Sequence, residues 1–581
     1  MARTYDAVIV GAGHNGLVSA AYLAKAGRSV LVLEARDIVG GACVTEELIP
    51  GYQFSSCAFL FGLFRPQIIR DLELGKFGYE AYSVDPSAVG VFENGKTLTM
   101  HGDLDKTLAE IRKFSKRDVE GFLDFGIKLQ RFANLVEPWL LKPPPTRAEL
   151  EAVFSDAASQ VLFDEFTSIS IADLLARHFE SPEVRGFFSF LAMVSIFAGP
   201  NSPGTSYQYA HHAMGEFEGN FGTYGFVRGG LGGATQALAS CAGHFGAEIR
   251  TGVRVQGIRV RRGVADGVVL DSGEEINAKV VLSNVDPKTL FTDLVGLDSV
   301  SHDIASMVKN FDTRGTMARV HIASSQPPLY TAFGHTGLSP EHRGHQLIGP
   351  SEPAFQAAWE AQQLGELPER FVIELVMQSA HDSSLTPLGH HAISLGVQNL
   401  PYELNGGWRN RSDEFGRKVV AQLIEYAPNL KDSILDFKVI SPLDLQETWS
   451  LPTGNIFHGA QSGAQLFSHR PFPGWSRYRM PVRNLYLCGA GAHPGGGVTG
   501  APGHNAAMEV LRDLADPIQS EDEWIARAAT GTADLLAVSG QAALGIHQTL
   551  WRYPALRGLA TKGASNRLTR PIVRRLLKTK R

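Results

Sequence analysis

Cysteine is scarce in this chain of 581 residues. Its four cysteines, Cys43, Cys57, Cys241 and Cys488, lie far apart and form no CxxC pair. That spacing excludes a zinc cage, a dithiol redox centre and a disulfide framework, and it points to a reducing compartment. The doublets His211-His212 and His390-His391 lack an identifiable third ligand, and adjacent side chains rarely aim at one ion, so no metal is expected. Long apolar runs are missing too. With no stretch of 18 apolar residues, no transmembrane helix is expected. The nearest approach, FFSFLAMVSIFAG from Phe187 to Gly199, is too short, carries Ser189 and Ser195, and reads as a buried helix. The start runs from Met-Ala-Arg-Thr straight into a strand without a basic-then-apolar leader, so a cytoplasmic location is expected. Positive charge is not in excess: 54 basic against 59 acidic residues leave a net −5 and no footprint for nucleic acid. At 44% hydrophobic and 19% charged, the chain is neither disordered nor a coiled coil.

Glycine is plentiful, 61 residues or about 10% of the chain. Its placement near the N-terminus carries the strongest signal. Tyr5–Val10 (YDAVIV) has the continuous apolar character of a buried parallel strand. Gly11-Ala12-Gly13-His14-Asn15-Gly16 follows at once and fits GxGxxG, after which Leu17–Ala26 reads as a helix that Gly27 ends. Ser29–Leu33 is a second strand, with Glu34 at its end. In such a unit Gly11 permits the tight turn, Gly13 admits a pyrophosphate to the backbone, and Gly16 lets helix and strand pack closely. The helix N-terminus attracts the phosphates, and Glu34 accepts from a ribose diol. A second glycine pair, Gly40-Gly41 before Ala42, suits the long body of a flavin dinucleotide, with Arg36 near its phosphates. The cofactor expected is therefore FAD.

Three blocks carry a family resemblance: DAVIVGAGHNGLVSAAYLAKAG, LEARDIVGGACVTEELIPGYQFS and LYLCGAGAHPGGGVTGAPGHNAA. They resemble the phytoene dehydrogenase/desaturase-like FAD-dependent oxidoreductases. FRPQIIRDLEL, GGLGGATQALA, LSNVDP and GNIFH match the branch of pyridine nucleotide-disulphide oxidoreductase domain-containing proteins. The resemblance covers roughly residues 5–515. Disulphide chemistry is not expected, because Cys43 and Cys57 are 14 positions apart.

The resemblance implies an α/β protein with a discontinuous Rossmann-like FAD-binding domain of amine-oxidase-like type, from residues 1–75, 224–295 and 445–515. An interleaved α+β substrate domain takes residues 76–223 and 296–444, and a helical, basic extension takes 516–581. Within the first domain, Gly246–Arg259 alternates like one strand, and Lys279–Leu282 is the next buried one. In relatives the position matching Val255 holds the adenine end through its backbone; a plain strand residue is the other reading. Asn484–Cys488 is a further strand. The glycines after it, from Gly489 to Gly497 with Val498, are read as a backbone cradle near the flavin, since Pro494 and a triple glycine disfavour an immediate helix. In the second domain Val89–His101 reads as a hairpin around Asn94-Gly95, residues 104–136 and 161–198 as helical, and 371–378 with 391–399 as paired strands. Phe187, Phe188, Phe190, Leu191 and Met193 either line an apolar channel or form core.

A bound flavin accepts hydride at N5. No acid/base constellation stands out beside it. His493 and Tyr224 are the candidate catalytic residues, each with a structural alternative: an imidazole bonded to backbone, and core packing. The expected substrate is a hydrophobic small molecule, carotenoid-, isoprenoid- or lipid-like, with oxygen or a quinone as electron acceptor. A flavin amine oxidase and a low-turnover, flavin-stabilised interaction protein are the alternatives. After Asp534 no acidic residue occurs, and ten Lys or Arg fall between Trp551 and Arg581. Such a tail suits peripheral contact with an anionic membrane, or else a solvated extension or oligomer contact.

Overall fold

The computed structural model describes residues 3–217 and 220–529. Most of the helical stretch expected from Trp524 onward, and all of the basic tail, lie outside the described residues. Two seven-stranded sheets organise the chain. In the first, Thr4–Val10 lies between Val30–Leu33 and Glu275–Ser283, parallel to both. Glu248–Arg250 extends the sheet beyond Val30–Leu33, and Leu485–Leu487 pairs with the end of Glu275–Ser283, again in parallel. Val264–Leu270 and Val255–Arg261 complete it as an antiparallel edge. The Val8, Ile9, Leu31, Val32, Val281, Leu282 and Leu485 side chains are fully buried between the covering layers. Each contributes about 1.5–3 kcal/mol of hydrophobic stabilisation.

The helix His14–Lys25 starts at Gly13 and ends where Gly27 turns with φ +76°. It packs against Gly232–His244 and Ala501–Ala515. Small residues make the second contact close: a Cβ on Gly503 would come within 2.2 Å of the Asn15 carbonyl. Ser19 donates to the Gly503 carbonyl at 2.7 Å.

The expected single strand over Gly246–Arg259 is two strands, Glu248–Arg250 and Val255–Arg261, in different parts of the sheet. The break sits at Gly252, whose φ of +67° and N–H bond to the Arg36 carbonyl turn the chain out of its extended path. Likewise residues 104–136 form two helices, Leu104–Arg112 and Lys116–Val136, because Ser115 caps the second through its hydroxyl. Residues 161–198 hold parts of three helices, which span Ala157–Thr167, Ile171–Ala176 and Pro182–Met193.

The second sheet runs in the order Ile434–Ile440, Thr316–Ser324, His391–Leu400, Val372–Val376, His345–Ile348, Ala88–Val91, Thr97–Met100. One core packs it against the helix Trp408–Tyr426. A second, rich in phenylalanine, joins it to the helices between Lys116 and Ala213. Phe132 stacks on Phe166 with centroids 5.0 Å apart, and Phe179 stacks on Phe188 at 5.3 Å. Phe187, Phe188, Phe190 and Met193 belong to this core, and Leu191 packs against it. Among the described residues no helix is long and apolar enough to cross a membrane.

Candidate functional site: a dinucleotide cavity at the ends of the parallel strands

Four parallel strands end on the same side of the first sheet, and the residues that follow three of them line a common cavity. Gly11 follows Val10, Glu34 follows Leu33, Asn284 follows Ser283, and Cys488-Gly489 follows Leu487. Ligands of open α/β sheets bind in the crevice beyond such carboxyl ends. A cavity lies there. It is lined by Gly11, Gly13, His14, Asn15, Glu34, Arg36, Gly41, Ala42, Val255, Asn284, Trp449, Ser450, His458 and Ala490, among others.

Of the twelve cofactor residues expected from sequence, Gly11, Gly13, Glu34, Arg36, Gly41, Ala42 and Val255 line this cavity. The Glu34 carboxylate accepts from the Ala12 N–H at 2.7 Å and the Arg36 N–H at 3.0 Å, tying the glycine loop to the second strand. Arg36 pairs with Glu46, and its guanidinium lies 5.1 Å from the Trp449 ring centre. Val255 opens its strand at a register shift, which frees it from a regular ladder.

The other five, Gly16, Gly40, Gly489, Gly497 and Val498, are not among the residues that line it. A Cβ on Gly16 would stand 2.3 Å from the Gly11 carbonyl, so this glycine serves helix–strand packing, as its place in the motif requires. On Gly40 it would meet the Cys43 carbonyl and Thr235 Oγ1, both at 2.8 Å. On Gly489 it would meet the Asn284 carbonyl at 2.6 Å, and on Gly497 the Leu63 side chain at 2.6 Å. Val498 has φ +58°, a left-handed backbone that is costly for a β-branched residue. Ser450 and His458, in the cavity wall, share it at +54° and +58°. Strain of this kind collects where a site over-determines the backbone.

The cavity fits a dinucleotide on its own chemistry. No side chain caps the helix that starts at Gly13, which leaves its first N–H groups to a ligand. Four buried polar atoms in the lining have no partner: Asn15 Oδ1, Arg36 Nη1, Trp449 Nε1 and His458 Nδ1. Buried polar atoms are seldom left so, and here all four belong to residues lining one cavity. Gly13 is the close-approach point, since any Cβ there would sit 2.6 Å from Asn284 Nδ2.

His493 is buried, and its Nε2–H donates to the Trp139 carbonyl at 2.9 Å. Burial pushes the imidazole down to about 4, so it stays neutral. This geometry is that of a clasp between the glycine segment and the Glu137–Trp139 turn. The Tyr224 hydroxyl donates to the His212 carbonyl at 2.6 Å, and burial raises its proton affinity. The sequence reading weighed His211 only as half of a metal-binding doublet; its Nε2–H donates to the Gly496 carbonyl at 2.9 Å. It missed Asn284 and His458; their only sequence signals are the LSNVDP and GNIFH blocks.

All four cysteines are free and buried, and burial pushes the Cys57 and Cys488 thiols up to about 12. Among the described residues no group of three His, Cys, Asp or Glu is placed to hold a metal ion.

Fold and cavity together define a dinucleotide-binding α/β protein with a second sheet domain. The family model described as flavin containing amine oxidoreductase matches residues 16–355. A rat pyridine nucleotide-disulfide oxidoreductase domain-containing protein 2 is 36% identical over 544 residues, covering 88% of this chain and 94% of that one. A phytoene desaturase (lycopene-forming) from Pantoea ananas is 27% identical over 548 residues, covering 87% and 99%. A solved triple mutant of putrescine oxidase shares the fold, with a TM-score of 0.60 at 16% identity over 89% of this chain and 99% of that one. The chain belongs to the flavin-containing amine oxidoreductase family, and FAD is its cofactor.

Proposed function

We propose that this FAD-dependent oxidoreductase dehydrogenates an extended hydrophobic molecule at a carbon–carbon bond, passing the electrons to oxygen or a quinone. FAD, when bound, supplies the hydride acceptor at N5. The rest falls to the chain: the glycine loop and Glu34 hold the dinucleotide, and the segment from Gly489 to Val498 sets its depth. Tyr224 and His493 are proposed as neutral polar groups beside the reaction, held in place by their bonds to the His212 and Trp139 carbonyls.

The observation that carries this reading is the surrounding of that glycine segment. The side chains nearest Gly496, Gly497 and Gly500 are Phe457, Leu63, Phe64 and Ile68, with His211 held neutral by burial. That apolar stretch, with the cationic guanidinium of Arg470 beside Gly495, suits a hydrocarbon better than an ammonium ion. The relative named for phytoene desaturation points the same way. The second reading, an amine oxidase, draws on the family model's own description. Contact with a membrane surface through the basic tail would suit the first. Anaerobic addition of carotenoids, lipids and amines to the yellow protein tests the two: bleaching by an apolar compound, reversed by air or quinone, is expected. Bleaching by amines alone would overturn it.

A further inference from the structure

The GNIFH block, residues 454–458, has no part in the glycine loop or in the segment from Gly489 to Val498, yet its last residue reaches the cavity. His458 lines the wall shared with Gly13, His14 and Ala490. Its Nδ1 is buried and bonded to nothing. That atom lies against the glycine after the strand Leu485–Leu487: a Cβ on Gly489 would be 3.3 Å from it.

The turn that carries His458 is strained and firmly held. His458 has φ +58° and Gly459 +133°. The Asn455 carboxamide oxygen accepts from the Phe457 N–H at 2.8 Å and the Gly459 N–H at 3.4 Å, while its nitrogen donates to the Arg314 carbonyl at 2.8 Å. Arg470 Nη2 donates to the Phe457 carbonyl at 2.8 Å and to the Ala490 carbonyl at 2.8 Å. One guanidinium therefore locks the turn to the segment that follows the strand. Phe311 closes the far side, since a Cβ on Gly459 would come 2.4 Å from its ring. A left-handed non-glycine residue, fixed by three elements and ending in an unpaired nitrogen, is a preorganised contact awaiting its partner.

We propose that His458 is a binding residue for FAD, its Nδ1 hydrogen-bonded to the seated cofactor. Asn455 and Arg470 are the positioning residues that present it. This rests on FAD occupying the cavity.

The test is FAD titration into deflavinated full-length protein, followed by flavin fluorescence, for wild type and for His458→Leu, His458→Asn and His458→Gln. Asparagine carries a polar atom at the distance of Nδ1 from Cβ, whereas glutamine carries it at the distance of Nε2. Leucine should weaken FAD binding roughly 10-fold or more, by loss of one hydrogen bond and an unpaired cofactor atom. Asparagine should recover most of the affinity and glutamine little. A leucine variant that folds by near-UV circular dichroism and binds FAD within about 2-fold of wild type would overturn the contact. Should leucine not fold, equal affinity of the asparagine and glutamine variants would overturn it. Wild-type protein that takes up no FAD would remove the cofactor assignment itself, a separate result.

Discussion

Arg470 donates two hydrogen bonds to a single carbonyl, that of Ala490, from Nε at 3.1 Å and Nη2 at 2.8 Å. Its remaining donors go to the Ala460, Gln465 and Phe457 carbonyls. Among the described residues no carboxylate pairs with it, and burial pushes the guanidinium down to about 10. Three of these four carbonyls depend on this one side chain, while that of Ala460 also accepts from Gln465 Nε2 at 3.1 Å. Arg470→Met leaves the Ala490, Gln465 and Phe457 carbonyls unpaired at about 1–3 kcal/mol each where water cannot reach. A loss of about 3 kcal/mol or more in urea unfolding is expected, with Arg470→Lys less severe. A methionine variant within about 1 kcal/mol of wild type would show that the carbonyls find other partners.

The glycines of the opening loop should separate binding from folding. Gly13→Ala puts a methyl against Asn284 Nδ2, a movable side-chain end, in the path of the cofactor. It should fold but purify with little yellow colour. Gly16→Ala drives a methyl into the Gly11 carbonyl, a backbone atom, and should cost about 1–3 kcal/mol in stability. The ratio of flavin to protein absorbance and the urea midpoint read the two effects.

Thiol chemistry should be silent in the native protein. Burial raises the proton affinity of Cys43, Cys57, Cys241 and Cys488 alike. Thiolate, the reactive form, is therefore rare at neutral pH. An aromatic disulfide reagent should label all four only after denaturation. Prompt reaction of the Cys43–Cys57 region in folded protein would contradict this.

Acid should destabilise the fold well before carboxylates protonate. Burial pushes His321 down to about 3, and His381 and His493 to about 4. An unfolded histidine takes its proton near pH 6.5, while these refuse it until far lower. The unfolded state therefore binds more protons across that window, and stability is complete above about 6.5 and falls as pH drops towards 4. Each should remove about 1–2 kcal/mol between pH 7.5 and 5. His493→Gln, which keeps a donor for Trp139, should flatten urea midpoints measured over that range. Midpoints that do not move with pH would refute the buried neutral state.

What the sequence disclosed follows from locality. The opening strand, its glycines and Glu34 lie within one short unit, so spacing alone reveals their joint purpose. Leu485–Leu487 and Ala88–Val91 with Thr97–Met100 were legible for the same reason. The split at Gly252 was not, because alternation continues across the kink and only the N–H bond to the Arg36 carbonyl decides it. Trp449 and His458 reach the cavity through the fold over some 400 residues of chain, and nothing in their neighbourhood marks them as cofactor residues apart from the GNIFH block. The phenylalanines of residues 187–190 show the opposite difficulty: apolar character is the same whether a ring faces a channel or a neighbouring ring.

The cavity wall is assembled from residues 10–42, 253–294 and 448–490, and its last strand slots in beside Ser283. A nascent chain emerging from the ribosome therefore carries the phosphate loop long before it owns a pocket. Flavin loading becomes a closing step of biogenesis, and a product truncated ahead of Leu485 would be born without the means to become yellow.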